Sequence, residues 1–380
     1  MTIPSSLTIG VVGAGTMGRG IVQLFAQAGH RVIAVDAVAG AAEAAVAGVA
    51  DTLDLLVRKG RLSEDARRDA VARMMAAPAL AALGACDVVI EAIVEDLGAK
   101  RALFHALEAV VSPDAVLASN TSSLTVSEIA AGCAVPARVA GLHFFNPVPL
   151  MKVVEVIAAV RTAPAVVTRL CDLVAGTGHR AVVAADQPGF LVNHAGRGLY
   201  TEGLRIVEEQ AASPATVDLI LREAAGFRMG PFELMDLTGL DVSGKVMASI
   251  YEQFQQEPRY RPSSLVPPRI AGGLYGRKTG EGWYRYEDGK PLLPSRPVVP
   301  VVPTGITVWI DPDADDREAL ATLVAGAGCE LVARPRDAAL LLIQPWGLDA
   351  TGAALAGGWM PPAVSRWIRC RGSTGTAPSC

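Results

Sequence analysis

Across its 380 residues the chain has no uninterrupted apolar run long enough to cross a bilayer, which needs about 20 residues as a helix. It lacks an excess of basic charge. A net charge of −4 and an isoelectric point near 5.8 give no positive field for nucleic acid or an anionic membrane. The opening MTIPSSLTIGVVGAG has neither a basic leader nor a cleavable apolar segment, so export is not expected. Cysteine is sparse and scattered. Cys86, Cys133, Cys171, Cys329, Cys370 and Cys380 form no C-x-x-C pair, which disfavours a disulfide framework or zinc site and suits reduced thiols in a cytoplasm. What remains is long enough for two or three domains, and half of it is hydrophobic.

The first half carries a pattern of strands and turns. Leu7 to Val12 reads as a buried parallel strand and runs into Gly13-Ala14-Gly15-Thr16-Met17-Gly18, a G-x-G-x-x-G. A helical run from Gly20 to Ala28 follows, then Gly29 and a second strand, Arg31 to Val35, ending at Asp36. Strand, glycine turn, helix, strand and acid in that order make a dinucleotide site. Gly13 permits the turn, Gly15 lets backbone amides approach a pyrophosphate, and Gly18 lets helix and strand pack closely. The helix start brings unpaired N–H groups, and Asp36 would accept from ribose hydroxyls while repelling a 2′-phosphate, so NAD is expected rather than NADP. The plainer alternative is a glycine turn without a ligand, with Asp36 as a helix cap.

Further strand runs lie at 87–92, 115–119, 139–143 and 153–157. The alternation predicts a doubly wound, largely parallel, Rossmann-type sheet with active groups at the strands' carboxyl ends. There the sequence places Glu91, Glu95, Asn120, Ser122, Ser123 and His143. Glu155 interrupts the run Val153–Ile157, and a carboxylate among Val and Ile is costly unless paired. His143 is the obvious partner, and such a pair makes a general base near neutral pH. The alternative sets Glu155 on a sheet edge and His143 at a turn.

The stretches GVVGAGTMGRGI, VIEAIVEDLGAK, SNTSSL, GLHFFNPVPLMKVVEVI, DQPGFLVN, GFRMGPFELMDLTGLD and GRKTGEGWY, in order over roughly residues 7–286, resemble the L-3-hydroxyacyl-CoA dehydrogenase family. The resemblance implies NAD-dependent, reversible oxidation of (S)-3-hydroxyacyl-CoA to 3-oxoacyl-CoA, as in fatty-acid β-oxidation, with short-chain or dicarboxylic substrates. It implies His143 as base, Glu155 as its orienting carboxylate, Ser122 on the substrate oxygen and Asn193 approaching the substrate. For the cofactor it implies Gly13, Gly15, Thr16, Met17, Gly18, Asp36, Glu95, Lys100, Ser122, Asn146 and Lys278. Thr52 and Lys59 fall where the family contacts coenzyme A. It also implies a homodimer, with no metal. One departure is His194, which stands where the family usually has arginine; it reads as a helix-surface or interface residue rather than a second base. Two rival functions stay open: a dehydrogenase of a free hydroxy or sugar acid, and a silent NAD-binding protein.

The expected division is 1–187 for the NAD-binding sheet, 188–287 for an all-helical substrate and dimerisation domain, and 288–380 for a Pro-rich linker with a small α/β-like tail. Pro188 fits a helix start or a domain linker ahead of a helical run from Phe190 to Glu209, and Ser213-Pro214 and Gly230-Pro231 start further helices. In the tail, residues 306–355 read as strand, helix, strand, strand, helix without a glycine fingerprint. The aperiodic end from Met360 to Cys380 reads as no packed element, either a truncated or frame-altered end or a natural tail.

Overall fold

The computed structural model describes residues 6–295, 305–344, 352 and 367–369. Most of the expected Pro-rich linker, most of the expected last helix and most of the aperiodic end lie outside these residues. The chain forms two compact units, one built from described residues of Met1–Ala211 and Met235–Gly282, the other from those of Ala212–Leu234 and Trp283–Cys380.

The first unit is organised by eight strands: β1 (Thr8–Val12), β2 (Arg31–Val35), β3 (Met74–Ala77), β4 (Val88–Glu91), β5 (Val116–Ser119), β6 (Val139–Phe144), β7 (Val153–Ala158) and β8 (Arg180–Ala185). Their order in the sheet is β3-β2-β1-β4-β5-β6-β7-β8. The first six are parallel, β7 is antiparallel to β6, and β8 is parallel to β7. The connections reverse direction between β1 and β4, and a crevice opens at such a switch point beyond the strands' carboxyl ends.

Helices cover the sheet because apolar side chains recur at helical spacing along them. They are α1 (Thr16–Gln27), α2 (Ala41–Arg58), α3 (Glu64–Ala72), α4 (Leu97–Glu108), α5 (Val126–Ala130) and α6 (Pro164–Gly176). One core cluster includes Ile9, Val11, Ile21, Phe25, Val32, Ile90 and Val156; another includes Val12, Ile33, Leu83, Phe104, Leu117, Ile129 and Ile157. Strand residues of alternate parity supply the two clusters, as a sheet buried on both faces requires.

Next come α7 (Val192–Glu208), α8 (Pro214–Glu223), α9 (Pro231–Thr238), α10 (Leu240–Gln253) and α11 (Val266–Ala271). Pro188 is not the helix start: α7 begins four residues later, after Gly189 and Phe190 take positive φ. The proline starts expected for α8 and α9 are present, and Ser213 caps α8 by accepting from the Thr216 N–H.

In the second unit Asp218 accepts from the Phe232 and Glu233 N–H groups and from the Tyr284 hydroxyl at 2.6 Å. The Phe232 and Trp283 rings meet edge to face at 4.8 Å. A two-stranded hairpin, β9 (Tyr286–Glu287) with β10 (Lys290–Pro291), follows where the sequence suggested only helix and linker. The tail holds β11 (Thr307–Ile310), α12 (Arg317–Gly326), β12 (Glu330–Leu331), β13 (Leu340–Ile343) and β14 (Trp367–Arg369). They form a parallel sheet in the order β12-β11-β13-β14. β14 corrects the reading of the end as free of packed structure; its pairing with β13 makes it a strand despite a sequence without alternation.

Candidate active site

The turn after β1 is built for close backbone approach. Gly13 has φ of +106°, and a Cβ there would lie 2.4 Å from the Ala92 carbonyl oxygen. A Cβ on Gly18 would lie 1.7 Å from the Gly13 oxygen, so α1 reaches the strand only because this residue has no side chain. At Gly15 the space is open within 4 Å. Gly15 is also the N-cap of α1, with no side chain capping the helix and no acid in its first turn. Free N–H groups beside open space fit a pyrophosphate, and Thr16 and Met17 open the helix at that point. Asp36 leaves the end of β2 and accepts from Ala14 N–H at 2.7 Å and Val38 N–H at 2.8 Å. The acid thus ties the second strand to the glycine turn, and a carboxylate with about four lone-pair sites keeps acceptor capacity for ribose hydroxyls.

Beside that turn a cavity of about 480 Å³ opens, lined by Met17, Glu95, Lys100, Ser122, His143, Asn146 and Asn193 among others. The pairing of β6 with β7 sets His143 opposite Glu155. His143 Nδ1 and Glu155 Oε2 are 2.6 Å apart, and both residues are buried. The other carboxylate oxygen accepts from the Leu191 and Val192 N–H groups at 2.8 Å each, at the start of α7. Burial alone would raise the Glu155 pKa. The bonds from His143, Val192 and Leu191 and the attraction of His143 outweigh it, and the carboxyl titrates below its ordinary range. With Nδ1 engaged as donor, the imidazole presents Nε2 as an acceptor. The ring is held between Phe145 at 4.4 Å and Phe190 at 5.7 Å. Glu155 is not on a sheet edge, because β8 pairs beyond it.

The loop after β5 is tied down from below. Glu95 accepts from Thr121 Oγ1 at 2.6 Å, from the Ser122 and Ser123 N–H groups and from Ser123 Oγ. Burial opposes its ionisation, but Lys100 and these donors prevail and its pKa is lowered. Lys100 is 1% exposed, bonded to the fully buried Glu91 at 2.6 Å and close to Glu95 at 3.2 Å. Glu91 also accepts from Ser119 Oγ at 2.6 Å and Ile93 N–H at 2.7 Å. Asn120 Oδ1 accepts from the Phe144 N–H at 2.8 Å, joining the ends of β5 and β6. Ser122 and His143 are thereby fixed against one frame.

Three of the expected site residues lie elsewhere. Lys278 lines none of this cavity; its Nζ pairs with Asp241 at 2.6 Å and sits 5.2 Å from the Tyr275 ring centre. Thr52 donates to the Gly48 carbonyl and faces two other pockets, while Lys59 is exposed at the end of α2. His194 Nε2 lies 3.1 Å from the Tyr260 hydroxyl and its ring packs on Phe254 and Tyr260, a packing role. The sequence reading missed Arg197, Tyr200, Thr238 and Ser243, which line the same cavity. Asn193, Arg197 and Tyr200 are spaced i, i+4, i+7 on α7, a helical-face signal that could have found them.

The chain matches the family models described as "3-hydroxyacyl-CoA dehydrogenase, NAD binding domain" over residues 8–187 and "3-hydroxyacyl-CoA dehydrogenase, C-terminal domain" over residues 189–286. It is 43% identical over 277 residues to 3-hydroxyadipyl-CoA dehydrogenase of Escherichia coli (strain K12), covering 73% of this chain and 58% of that protein's length. It is 37% identical over 284 residues to 3-hydroxybutyryl-CoA dehydrogenase of Bradyrhizobium diazoefficiens, covering 75% of this chain and 97% of the relative. Among solved structures, (S)-3-hydroxybutyryl-CoA dehydrogenase from Ralstonia eutropha matches with a TM-score of 0.72 at 36% identity, covering 74% of this chain and 99% of that one. A 3-hydroxybutyryl-CoA dehydrogenase from Escherichia coli K12 matches with a TM-score of 0.79 at 36% identity, over 93% of this chain and 71% of that one. The chain belongs to the 3-hydroxyacyl-CoA dehydrogenase family and is an NAD-dependent oxidoreductase. No helix among the described residues is long and apolar enough to cross a membrane.

Proposed function

We propose that this chain oxidises (S)-3-hydroxyacyl-CoA esters of short or dicarboxylic acyl chains to 3-oxoacyl-CoA, reversibly. The observation that carries the reading is the buried His143–Glu155 pair, with both carboxylate oxygens engaged, on the wall of a cavity shared with Ser122 and Asn193. In this reading His143 Nε2 takes the proton of the 3-hydroxyl as the C3 hydrogen departs as hydride. The acceptor for that hydride would be supplied by NAD when bound. The imidazolium that forms is stabilised by Glu155, which stays ionised because α7 donates two N–H groups to it. Ser122 donates to the substrate oxygen from the loop held by Glu95, and Asn193 orients the thioester side.

Gly13, Gly15, Gly18, Thr16 and Met17 would hold the dinucleotide, with Asp36 toward its ribose and Glu95, Lys100 and Asn146 toward the nicotinamide end. Lys100 acts there by holding Glu95 and Glu91 rather than by reaching out. Lys278 would reach the dinucleotide only on leaving Asp241. Thr52 and Lys59 are proposed as coenzyme A contacts, with boundaries near 187 and 287 between cofactor, helical and tail segments, and a homodimer as the working assembly. The test is NAD reduction at 340 nm with (S)-3-hydroxybutyryl-CoA against free (S)-3-hydroxybutyrate. Turnover of the thioester alone is expected; equal turnover of the free acid would replace this reading with a hydroxy-acid dehydrogenase.

A further inference from the structure

The cavity holds one cation that the chemistry above does not use. Arg197 lies one helical turn beyond Asn193 on α7 and is 5% exposed. Among the described residues its Nε and Nη1 have no hydrogen-bond partner. Its guanidinium carbon sits 4.8 Å from the Tyr200 ring centre, and no carboxylate within salt-bridge distance faces it among those residues. The acid on the cavity wall, Glu95, is already held by Lys100, Thr121 and the Ser122 and Ser123 amides. A guanidinium does not escape burial by losing its proton, so a buried one without an anion is strongly disfavoured. Here burial lowers its pKa, in keeping with an environment that offers no counter-charge.

Resting on the dehydrogenase reading, we propose that Arg197 is the carboxylate subsite for the far end of the acyl chain, making 3-hydroxy-dicarboxylyl-CoA esters the preferred substrates. The phosphates of the dinucleotide belong at the open turn by Gly15, which is not among the residues that line the cavity with Arg197. The phosphates of coenzyme A lie at the end of a long pantetheine arm, which must leave through the mouth because about 480 Å³ does not hold it as well. The acyl end of the ester is the part that can turn inward to a buried side chain. A carboxylate meets the guanidinium fork with two parallel bonds. Beside it, Tyr200, Thr238 and Ser243 line the same cavity, the two smaller hydroxyls 2.7 Å apart, giving further polar groups to the same end.

The experiment compares kcat/KM for 3-hydroxyadipyl-CoA and 3-hydroxyhexanoyl-CoA, which have the same six acyl carbons and differ in a terminal carboxylate against a methyl. The wild-type ratio is expected to exceed about 10, and Arg197→Met should lower that ratio at least about tenfold, mainly through KM for the diacid ester. Arg197→Lys, which keeps charge without the fork, should retain part of the preference. A wild-type ratio at or below one overturns the proposal. So does an Arg197→Met effect that falls equally on both esters, since a thioester contact or a purely structural role would do that. Should Arg197→Met not fold, the wild-type ratio and a lysine variant with raised KM for the diacid ester decide. Absence of NAD reduction with either ester would instead overturn the dehydrogenase reading itself.

Discussion

Among the described residues two sheets, one largely parallel and one parallel, have a helix after the leading strand, and the larger one borders the candidate site. In the larger sheet β1 pairs with β2 and β4 on either side, and in the smaller one β11 pairs with β12 and β13. β1 runs into Gly13-Ala14-Gly15, where backbone N–H groups face open space at a helix start. β11 runs into Asp311-Pro312-Asp313-Ala314-Asp315-Asp316. There Asp311 accepts from Asp313 N–H, and Asp316 exchanges bonds with Gln344. Four aspartates before α12 would repel a pyrophosphate where two glycines before α1 admit one. Strand order alone therefore does not make a nucleotide site; the turn chemistry at the strand's carboxyl end does.

Changes at the turn of the larger sheet should break this contrast. Gly18→Val places a branched side chain where even a Cβ is 1.7 Å from the Gly13 oxygen. NAD affinity, measured by quenching of intrinsic fluorescence, should fall on the order of 100-fold or more. A variant that binds NAD as tightly as the parent would mean the turn is not the phosphate site. A smaller effect is expected at Asp36. Because the carboxylate also braces Ala14 and Val38, Asp36→Ser should weaken NAD and raise relative use of NADP by about tenfold. Comparison of initial rates with the two cofactors checks this, and an unchanged cofactor ratio would count against the ribose assignment.

Removing the smaller sheet should matter least for chemistry. A chain ending at residue 295 keeps the β9–β10 hairpin and the Tyr284–Asp218 bond, and NAD reduction should stay within a few-fold of the full chain. Loss of activity in a soluble, folded truncation would give the tail a part in the site. Acid stability should show the smallest difference. Glu155 has a lowered pKa, so its contribution is present above the unfolded value near 4.3 and is lost as pH falls through the lower folded value. Thermal melts from about pH 6 to pH 3 should fall less steeply for Glu155→Gln than for the parent below about pH 4.3. Parallel curves would show that the carboxylate gains nothing from its partners.

Much of the larger sheet was legible because its strands are short β-branched runs closed by turn residues. β3 escaped because Met74-Met75-Ala76-Ala77 contains no β-branched residue and becomes a strand only by pairing with β2. β8 is an edge strand with a single buried residue, rich in alanine, and gives a faint signal. The reversal of β7 could not be read, since a parallel and an antiparallel partner leave the same trace in one strand. In the site, the misplaced carboxylate Glu155 pointed to His143 because burial demands a partner. The two α7 amides that complete its coordination come from residues 36 and 37 positions away, beyond any local pattern. Arg197 was passed over because an arginine on an amphipathic helix reads as a solvated face; only the fold shows it buried.

The central claim is that the imidazole of His143, braced by Glu155, is the base on the cavity of the larger sheet. It is tested most directly by measuring NAD affinity and kcat side by side for His143→Gln with (S)-3-hydroxybutyryl-CoA. The account predicts NAD binding close to the parent's and a kcat lower by about 10²–10⁴. A His143→Gln enzyme that turns over at the parental rate would contradict it.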